Sequence, residues 1–306
     1  MSTAFLFPGQ ASQYVGMGKD LYDASPVAKR VFDLADSVLD FRIKSFCFCG
    51  PEESLRQTAI TQPAVLTHSI AALEMLRAKG IQPDIVAGHS VGELAALVCS
   101  GALELEDGLR LVSVRAQAMS AAGKTRSGTM AAIIGLDEDA VWKICEEANS
   151  AGLVRPANFN CPSQTVISGE ERGVRRAIEV AKEHGAKRAL ELPVSGAFHS
   201  DLMKPAVDAL RSALESITFA TPTIPVVPNV TAEPTTDPRT LKDLLVEQVV
   251  SPVRWTETIQ AIRKTGVDKA YEVGPGSTLK GLVRRIDRDL TVKSAGTIEE
   301  LTEGEA

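Results

Sequence analysis

The chain has 306 residues, 44% of them hydrophobic and 24% charged, with a formal net charge of −6; these are ordinary globular proportions. That much apolar surface excludes disorder over most of the chain, and no apolar run approaches a bilayer span, so a membrane-spanning protein is excluded. The acidic balance argues against general nucleic-acid binding, although a local basic patch could still meet an acidic partner.

Residues 1–10 have no basic stretch ahead of their apolar residues and are not expected to act as an export signal. Thr3 to Phe7 is a short apolar run ending at Pro8-Gly9, the pattern of a buried strand. A helix is expected from about Pro63 to Lys79, stopped by Gly80. Asp84 to Ala87 reads as a strand, Val91 to Cys99 as a helix closed near Gly101, and Glu104 to Ser120 as another helix. Strands alternating with helices imply a largely parallel sheet covered on both faces, an α/β fold.

The rhythm then changes. Thr129 to Leu136 reads as a strand, and Asp137 to Asn149 as a helix with acidic residues in its first turn. Val154 to Phe159 and Gln164 to Ser168 read as strands joined through Pro162-Ser163. Glu170 to His184 reads as a helix and Arg188 to Leu192 as a strand. The order β-α-β-β-α-β is that of a ferredoxin-like subdomain, placed at 127–194 within a larger unit made of 1–126 and 195–306. Helices follow from about Leu202 to Ser216 and Leu241 to Val249, separated by a proline-rich stretch from Pro222 to Pro228. Lys269 to Val273 is a strand, and Gly274-Pro275-Gly276 turns into a helix ending near Ile286. Glu299 to Ala306 is acidic and expected to fray. Five cysteines with no repeated C-x-x-C spacing argue against a disulfide framework and against a zinc site, so no metal is expected and the setting is a reducing, cytoplasmic one.

The chemistry concentrates at Gly88-His89-Ser90-Val91-Gly92, a G-x-S-x-G motif between a predicted strand and a predicted helix. That is the context of a nucleophile elbow. A sharp strand-to-helix turn crowds positions 88 and 92 and exposes the Ser90 hydroxyl. The N–H of Val91, at the helix amino end, points where an oxyanion would form. A serine needs a base, and the chain has four histidines: His68, His89, His184 and His199. His68 sits among Leu66, Ile70 and Ala71 as a packed core residue would. His89 adjoins the serine and would point to the opposite face, and His184 lies in the last turn of a basic helix. His199, in a loop after the subdomain, is left as the candidate by elimination.

Arg115 lies on an apolar helix face, with Leu111, Val112, Ala118 and Met119 as its neighbours. A guanidinium there must meet an anion. Two anions fit: an internal carboxylate, or a substrate carboxylate gripped through two parallel hydrogen bonds.

With these residues the chain resembles the malonyl-CoA:acyl-carrier-protein transacylases. The likeness runs from Phe7-Pro8-Gly9-Gln10 through Thr61-Gln62-Pro63-Ala64, Ala157-Asn158-Phe159-Asn160 and Gly196-Ala197-Phe198-His199. It continues through Glu247-Gln248-Val249-Val250-Ser251-Pro252-Val253-Arg254-Trp255 to Glu272-Val273-Gly274-Pro275-Gly276. The resemblance implies an α/β-hydrolase-like core with a ferredoxin-like insertion. It implies Ser90 as the acylated nucleophile, His199 as general base, and the N–H groups of Gln10 and Val91 as the oxyanion hole. It further implies Arg115 as the holder of the malonyl carboxylate, Gln248 as the residue whose carbonyl orients the histidine, and Asn160 near the thioester. Phe198 implies malonyl rather than methylmalonyl preference, since it leaves less room for a branched acyl group. Ala11 departs from the family, where glycine usually follows the glutamine, and so does Ser127-Gly128-Thr129-Met130, where many members have an extra small residue.

The implied reaction moves malonyl from malonyl-CoA to the phosphopantetheine thiol of acyl carrier protein, with CoA as product and no permanently bound cofactor. The product would serve fatty-acid synthesis, with polyketide synthesis as the alternative. The carrier is acidic, so a basic docking patch is expected from Lys187 and Arg188 with Lys280, Arg284 and Arg285. A serine hydrolase, either a thioesterase or a lipid acyl hydrolase, would use the same elbow but has no need of Arg115.

Overall fold

The computed structural model describes residues 2–303. Strand β1 (Ser2–Phe7) is apolar throughout its second half because both its faces are buried. Phe5 and Phe7 enter one core, Ala4 and Leu6 the other, as a central parallel strand requires. Five helices follow: α1 (Lys19–Ala24), α2 (Pro26–Val38), α3 (Ile43–Cys49), α4 (Glu52–Leu55) and α5 (Thr58–Ala78). The first four were not anticipated. Three are too short to show a helical period, but α2 buries Ala28, Val31, Phe32 and Ala35 at i, i+3, i+4 spacing and was legible. Helix α5 begins at Thr58, not Pro63, because the Gln57 carbonyl accepts from Ile60 and Thr61 and the proline is carried inside the helix.

Strand β2 (Ile85–Gly88), α6 (Gly92–Cys99) and α7 (Leu105–Thr125) take the expected strand–turn–helix order, with α7 running past Ser120. Next come β3 (Gly128–Ile134), α8 (Glu138–Ala148), β4 (Val154–Cys161), β5 (Gln164–Glu170), α9 (Glu171–Glu183) and β6 (Arg188–Glu191). Their four strands form an antiparallel sheet in the order β4-β5-β3-β6, the ferredoxin-like arrangement. Helices α8 and α9 cover one face through Ile133, Ile144, Ile167 and Val174. The other face presents Met130, Val166 and, just past β6, Leu192 to a cleft.

The rest of the chain supplies α10 (Lys204–Glu215), β7 (Val226–Val227), α11 (Pro238–Glu247), α12 (Trp255–Lys264), β8 (Val267–Val273), α13 (Thr278–Ile286), β9 (Thr291–Ala295) and α14 (Ile298–Thr302). The proline-rich stretch hides β7, while α12 and β9 were not foreseen. The expected fraying is corrected for 299–302: Thr297 and Glu300 form a capping box, and Leu301 is buried. Residues 304–306 lie outside the described residues.

The large sheet is parallel, in the order β7-β2-β1-β8-β9. One core packs α2, α5, α6, α7 and α10 on one face, and the other packs α12 and α13 on the opposite face. The chain leaves β1 toward β2 and later returns to its other side as β8, so a crevice opens at the carboxyl ends of these strands. Phe7 pairs with Gly88, which brings the segments carrying Gln10 and Ser90 out at the same crevice. No helix among the described residues is long and apolar enough to cross a membrane.

Candidate active site

The turn from β2 into α6 is tight enough to need both glycines. A Cβ on Gly88 would lie 2.0 Å from the Gly92 backbone, and one on Gly92 would lie 2.2 Å from the Phe7 carbonyl oxygen. Ser90 takes the left-handed conformation, φ 52°, which a non-glycine residue adopts only when its surroundings impose it.

His199 Nε2 lies 2.7 Å from Ser90 Oγ. On the far side of the ring, Nδ1 faces the carbonyl oxygens of Gln248, at 2.9 Å, and Ser251, at 3.2 Å. Both are acceptors only, so Nδ1 carries the proton and Nε2 presents its lone pair to the serine. Two peptide carbonyls thus stand where a triad would place a carboxylate. Burial, and secondly the Arg115 charge, push the His199 pKa down to about 3. The ring is therefore neutral at ordinary pH and free to accept a proton.

Arg115, on α7, is 1% exposed. It donates to Gln62 Oε1 at 2.6 Å and to Gln248 Oε1 at 2.8 Å, and reaches toward Ser90 Oγ at 3.4 Å. Both close partners are neutral amides, and Nε has no hydrogen-bond partner among the described residues. The internal ion pair is not what the fold provides. Glu93 is near enough to favour the charged guanidinium but makes no salt bridge to it among the described residues. Burial lowers the Arg115 pKa to about 10, which leaves it cationic at neutral pH. Glu93, buried at the start of α6, has its pKa raised to about 7 by the same burial. The result is a buried positive charge beside a serine hydroxyl, with donor capacity unused.

Ser90, His199, Arg115 and Gln62 line a cleft of about 300 Å³ that also includes Gln10, Val91, Asn160 and Phe198. Gln10 donates its side chain to Thr58 Oγ1 at 3.4 Å, and neither its N–H nor that of Val91 is engaged by a backbone acceptor among the described residues. Ala11 beside it has φ 79°, a conformation that glycine adopts freely and that costs other residues roughly 1–2 kcal/mol. The family's usual glycine there has that physical reason. Asn160 Oδ1 is 2.8 Å from His89 Nε2, and the His89 ring packs edge-on to Trp255. His89 thus lines the cleft instead of turning away from it.

Lys187, Arg188, Lys280, Arg284 and Arg285 are all exposed. Arg285 donates to Gln164 Oε1 at 2.6 Å, and Gln164 lines the cleft. Gln164 and Arg188 both pair with Ile134, one on each side of β3, which brings Arg285 and Arg188 to the same end of the small sheet. Sequence reasoning gave no role to Gln62, His89 or Glu93 individually. The first lies in the Thr61-Gln62-Pro63-Ala64 block, and its signal was an amide among the apolar residues Ala59, Ile60, Ala64, Val65 and Leu66. Among the described residues no group of three or more His, Cys, Asp or Glu side chains could hold a metal ion.

The acyl transferase domain family matches residues 4–302. The malonyl CoA-acyl carrier protein transacylase of Bacillus subtilis is 47% identical over 300 residues, covering 97% of this chain and 95% of its own. The crystal structure of the acyl-carrier-protein S-malonyltransferase from Burkholderia pseudomallei superposes with a TM-score of 0.95 at 46% identity, covering 99% of each chain. A malonyl-transacylase solved in complex with its type II PKS acyl-carrier protein has a TM-score of 0.95 at 42% identity, covering 100% of this chain and 99% of the other.

Proposed function

The chain belongs to the acyl transferase domain family, and from that premise we propose that it moves a malonyl group from malonyl-CoA to the phosphopantetheine thiol of an acyl carrier protein. The observation that carries this reading is Arg115: a buried guanidinium 3.4 Å from Ser90 Oγ with only amide partners. A neutral acyl group would leave that charge uncompensated, whereas a malonyl carboxylate completes it.

In the first step His199 Nε2 takes the Ser90 hydroxyl proton as Oγ attacks the thioester carbonyl. The oxyanion is met by the N–H groups of Val91 and Gln10, which have no backbone acceptor of their own. Collapse expels the CoA thiolate, which takes the proton back from His199, and leaves malonyl-Ser90. A carboxylate on Arg115 also offsets part of the charge that holds the His199 pKa down, so the correct substrate strengthens its own base. In the second step the carrier thiol gives its proton to His199 and attacks the ester; collapse expels Ser90 Oγ, which takes that proton back, and malonyl leaves as a thioester on the carrier. Gln248 serves twice: its carbonyl orients His199, and its side chain holds Arg115. Asn160 stands beside the thioester, and Phe198 narrows the space for a branched acyl group.

Lys187, Arg188, Lys280, Arg284 and Arg285 form the landing rim for an acidic carrier. We read 127–194 as a unit inserted between 1–126 and 195–306, its open sheet face forming one wall of the cleft. Five unpaired cysteines suit a reducing compartment, and the cytoplasm is the proposed location. No resident cofactor enters these steps. The product feeds chain extension, for which fatty-acid synthesis is the proposed pathway.

Intact-mass measurement after incubation with malonyl-CoA tests the reading. One malonyl adduct on Ser90, discharged by added carrier protein and not by water, is the expected result. Discharge by water alone would make the protein a serine hydrolase.

A further inference from the structure

The left-handed Ser90 has to be held in place, and the residue that holds it lies well over a hundred positions away. Strand β7 pairs with β2 through Val86–Val226 and Ala87–Val227. Pro228 follows and has no N–H with which to continue the ladder. The next residue, Asn229, substitutes its side-chain amide for a strand. Its Oδ1 accepts the Ser90 N–H at 2.7 Å, and its Nδ2 donates to the Gly88 carbonyl at 2.6 Å. It therefore grips the turn on both sides of His89. Asn229 is 0% exposed, and its own N–H donates to Glu93 Oε2 at 2.7 Å. Gln248 Nε2 reaches the Ser90 carbonyl at 3.1 Å, tying the elbow to the residue that holds Arg115.

We propose that Asn229 is the positioning residue of the nucleophile elbow: its amide locks the left-handed Ser90, aims Oγ at His199, and withdraws the Ser90 N–H from the oxyanion hole, so that only Val91 and Gln10 donate there. The peptide-like amide is the group that suits this task, since it must accept and donate at once across one turn. Aspartate at this position is isosteric, but it matches only when protonated, donating to Gly88 and accepting from Ser90.

The proposal rests on Ser90 as the nucleophile but not on malonyl as its acyl group. The test therefore reads Ser90 directly, through its rate of labelling by a fluorophosphonate, alongside malonyl transfer. Asn229→Ala should slow both labelling and kcat by about 10- to 100-fold, the loss that misplacing a reacting group brings, with KM for malonyl-CoA nearly unchanged. Asn229→Asp should be similarly slow at pH 8 and recover near pH 5.5, read as a ratio to the unaltered protein at each pH. The ratio is needed because Glu93, its pKa raised to about 7 and its carboxylate bonded to the residue-229 N–H, titrates in that range in both; His199, held near pKa 3, stays neutral. A wild-type labelling rate in the alanine variant overturns the proposal. So does a deficit in the aspartate variant that does not change with pH, which also decides the matter if the alanine variant fails to fold. If Ser90 of the unaltered protein is not labelled at all, the nucleophile reading itself fails, whatever the variants do.

Discussion

The largely buried block of Ser90, His199, Arg115 and Gln248 and the exposed residues proposed as a docking rim, Lys187, Arg188, Lys280, Arg284 and Arg285, would both act through charge and hydrogen bonds, yet solvent treats them differently. In the block most polar atoms are withdrawn from water and held by one or two fixed partners, the unpartnered Arg115 Nε being an exception among the described residues, so removing a partner exposes the full desolvation cost of the other. At the rim water and ions compensate any loss, and the useful effect is long-range attraction that salt screens. Between them stands Glu272, a buried carboxyl that accepts the N–H groups of Leu279, at 2.9 Å, and Lys280, at 2.8 Å, at the start of α13. It is the buried foot of the helix that carries three of the five basic residues.

The comparison predicts effects that shrink from block to rim. His199→Ala should lower malonyl transfer by about 10²- to 10⁴-fold, the usual worth of a general base, with little change in KM for malonyl-CoA. Because its pKa is about 3, the wild-type acylation rate should not fall as pH drops through 6.5; a break at 6.5 would mean that the ring is far better solvated than its burial implies. Arg115→Ala should cost malonyl transfer about 150- to 4,000-fold, from the roughly 3–5 kcal/mol lost when a buried ion pair loses one partner. Acetyl transfer should fall much less, and NMR titration should find the His199 pKa raised, since one cause of its depression is gone. Equal losses for both acyl groups would remove Arg115 from selectivity.

Glu272→Gln sharpens the boundary between the two regions. The Glu272 pKa is raised by burial from 4.5 to about 7, so the folded state binds its proton more tightly than the unfolded chain. Its contribution to stability is then full below pH 4.5 and is lost as pH rises through 7. Relative to wild type, the glutamine variant should gain on the order of 3 kcal/mol between pH 4.5 and 8 in denaturant melts. A difference that is flat with pH would mean that the two N–H bonds already hold the carboxylate ionised. Smallest are the rim effects: reversing Lys280 and Arg285 together should reduce kcat/KM for the carrier by about 3- to 10-fold at low salt, vanish at high salt, and leave Ser90 acylation by malonyl-CoA unchanged. A rim loss as large as that of Arg115, and indifferent to salt, would break the distinction.

The elbow was legible because all its determinants lie within ten residues: an apolar strand, two glycines that clear a crowded turn, and a helix start. Arg115 was legible as a charge on an apolar helix face, though not as to which anion it awaits. That needed Gln62 and Gln248, which approach from other elements and offer only amide oxygens. The family resemblance aside, His199 could be reached only by elimination, because nothing near it in the sequence records the two carbonyls that set its tautomer. Strand β7, two residues long within a proline-rich stretch, left no periodic signal, and Asn229 went unseen with it.

By itself, then, the sequence determined the alternation of strands and helices, the inserted β-α-β-β-α-β unit and the turn that exposes Ser90, because these follow from periodicity and from steric limits acting over a few neighbouring residues. The tertiary structure alone decided which histidine faces that serine, that Arg115 is held without a counter-ion among the described residues, and that an asparagine from the edge of the sheet clamps the elbow. Those are distances between segments 25 to 158 positions apart, and such distances are set by how the cores pack, which no local pattern encodes.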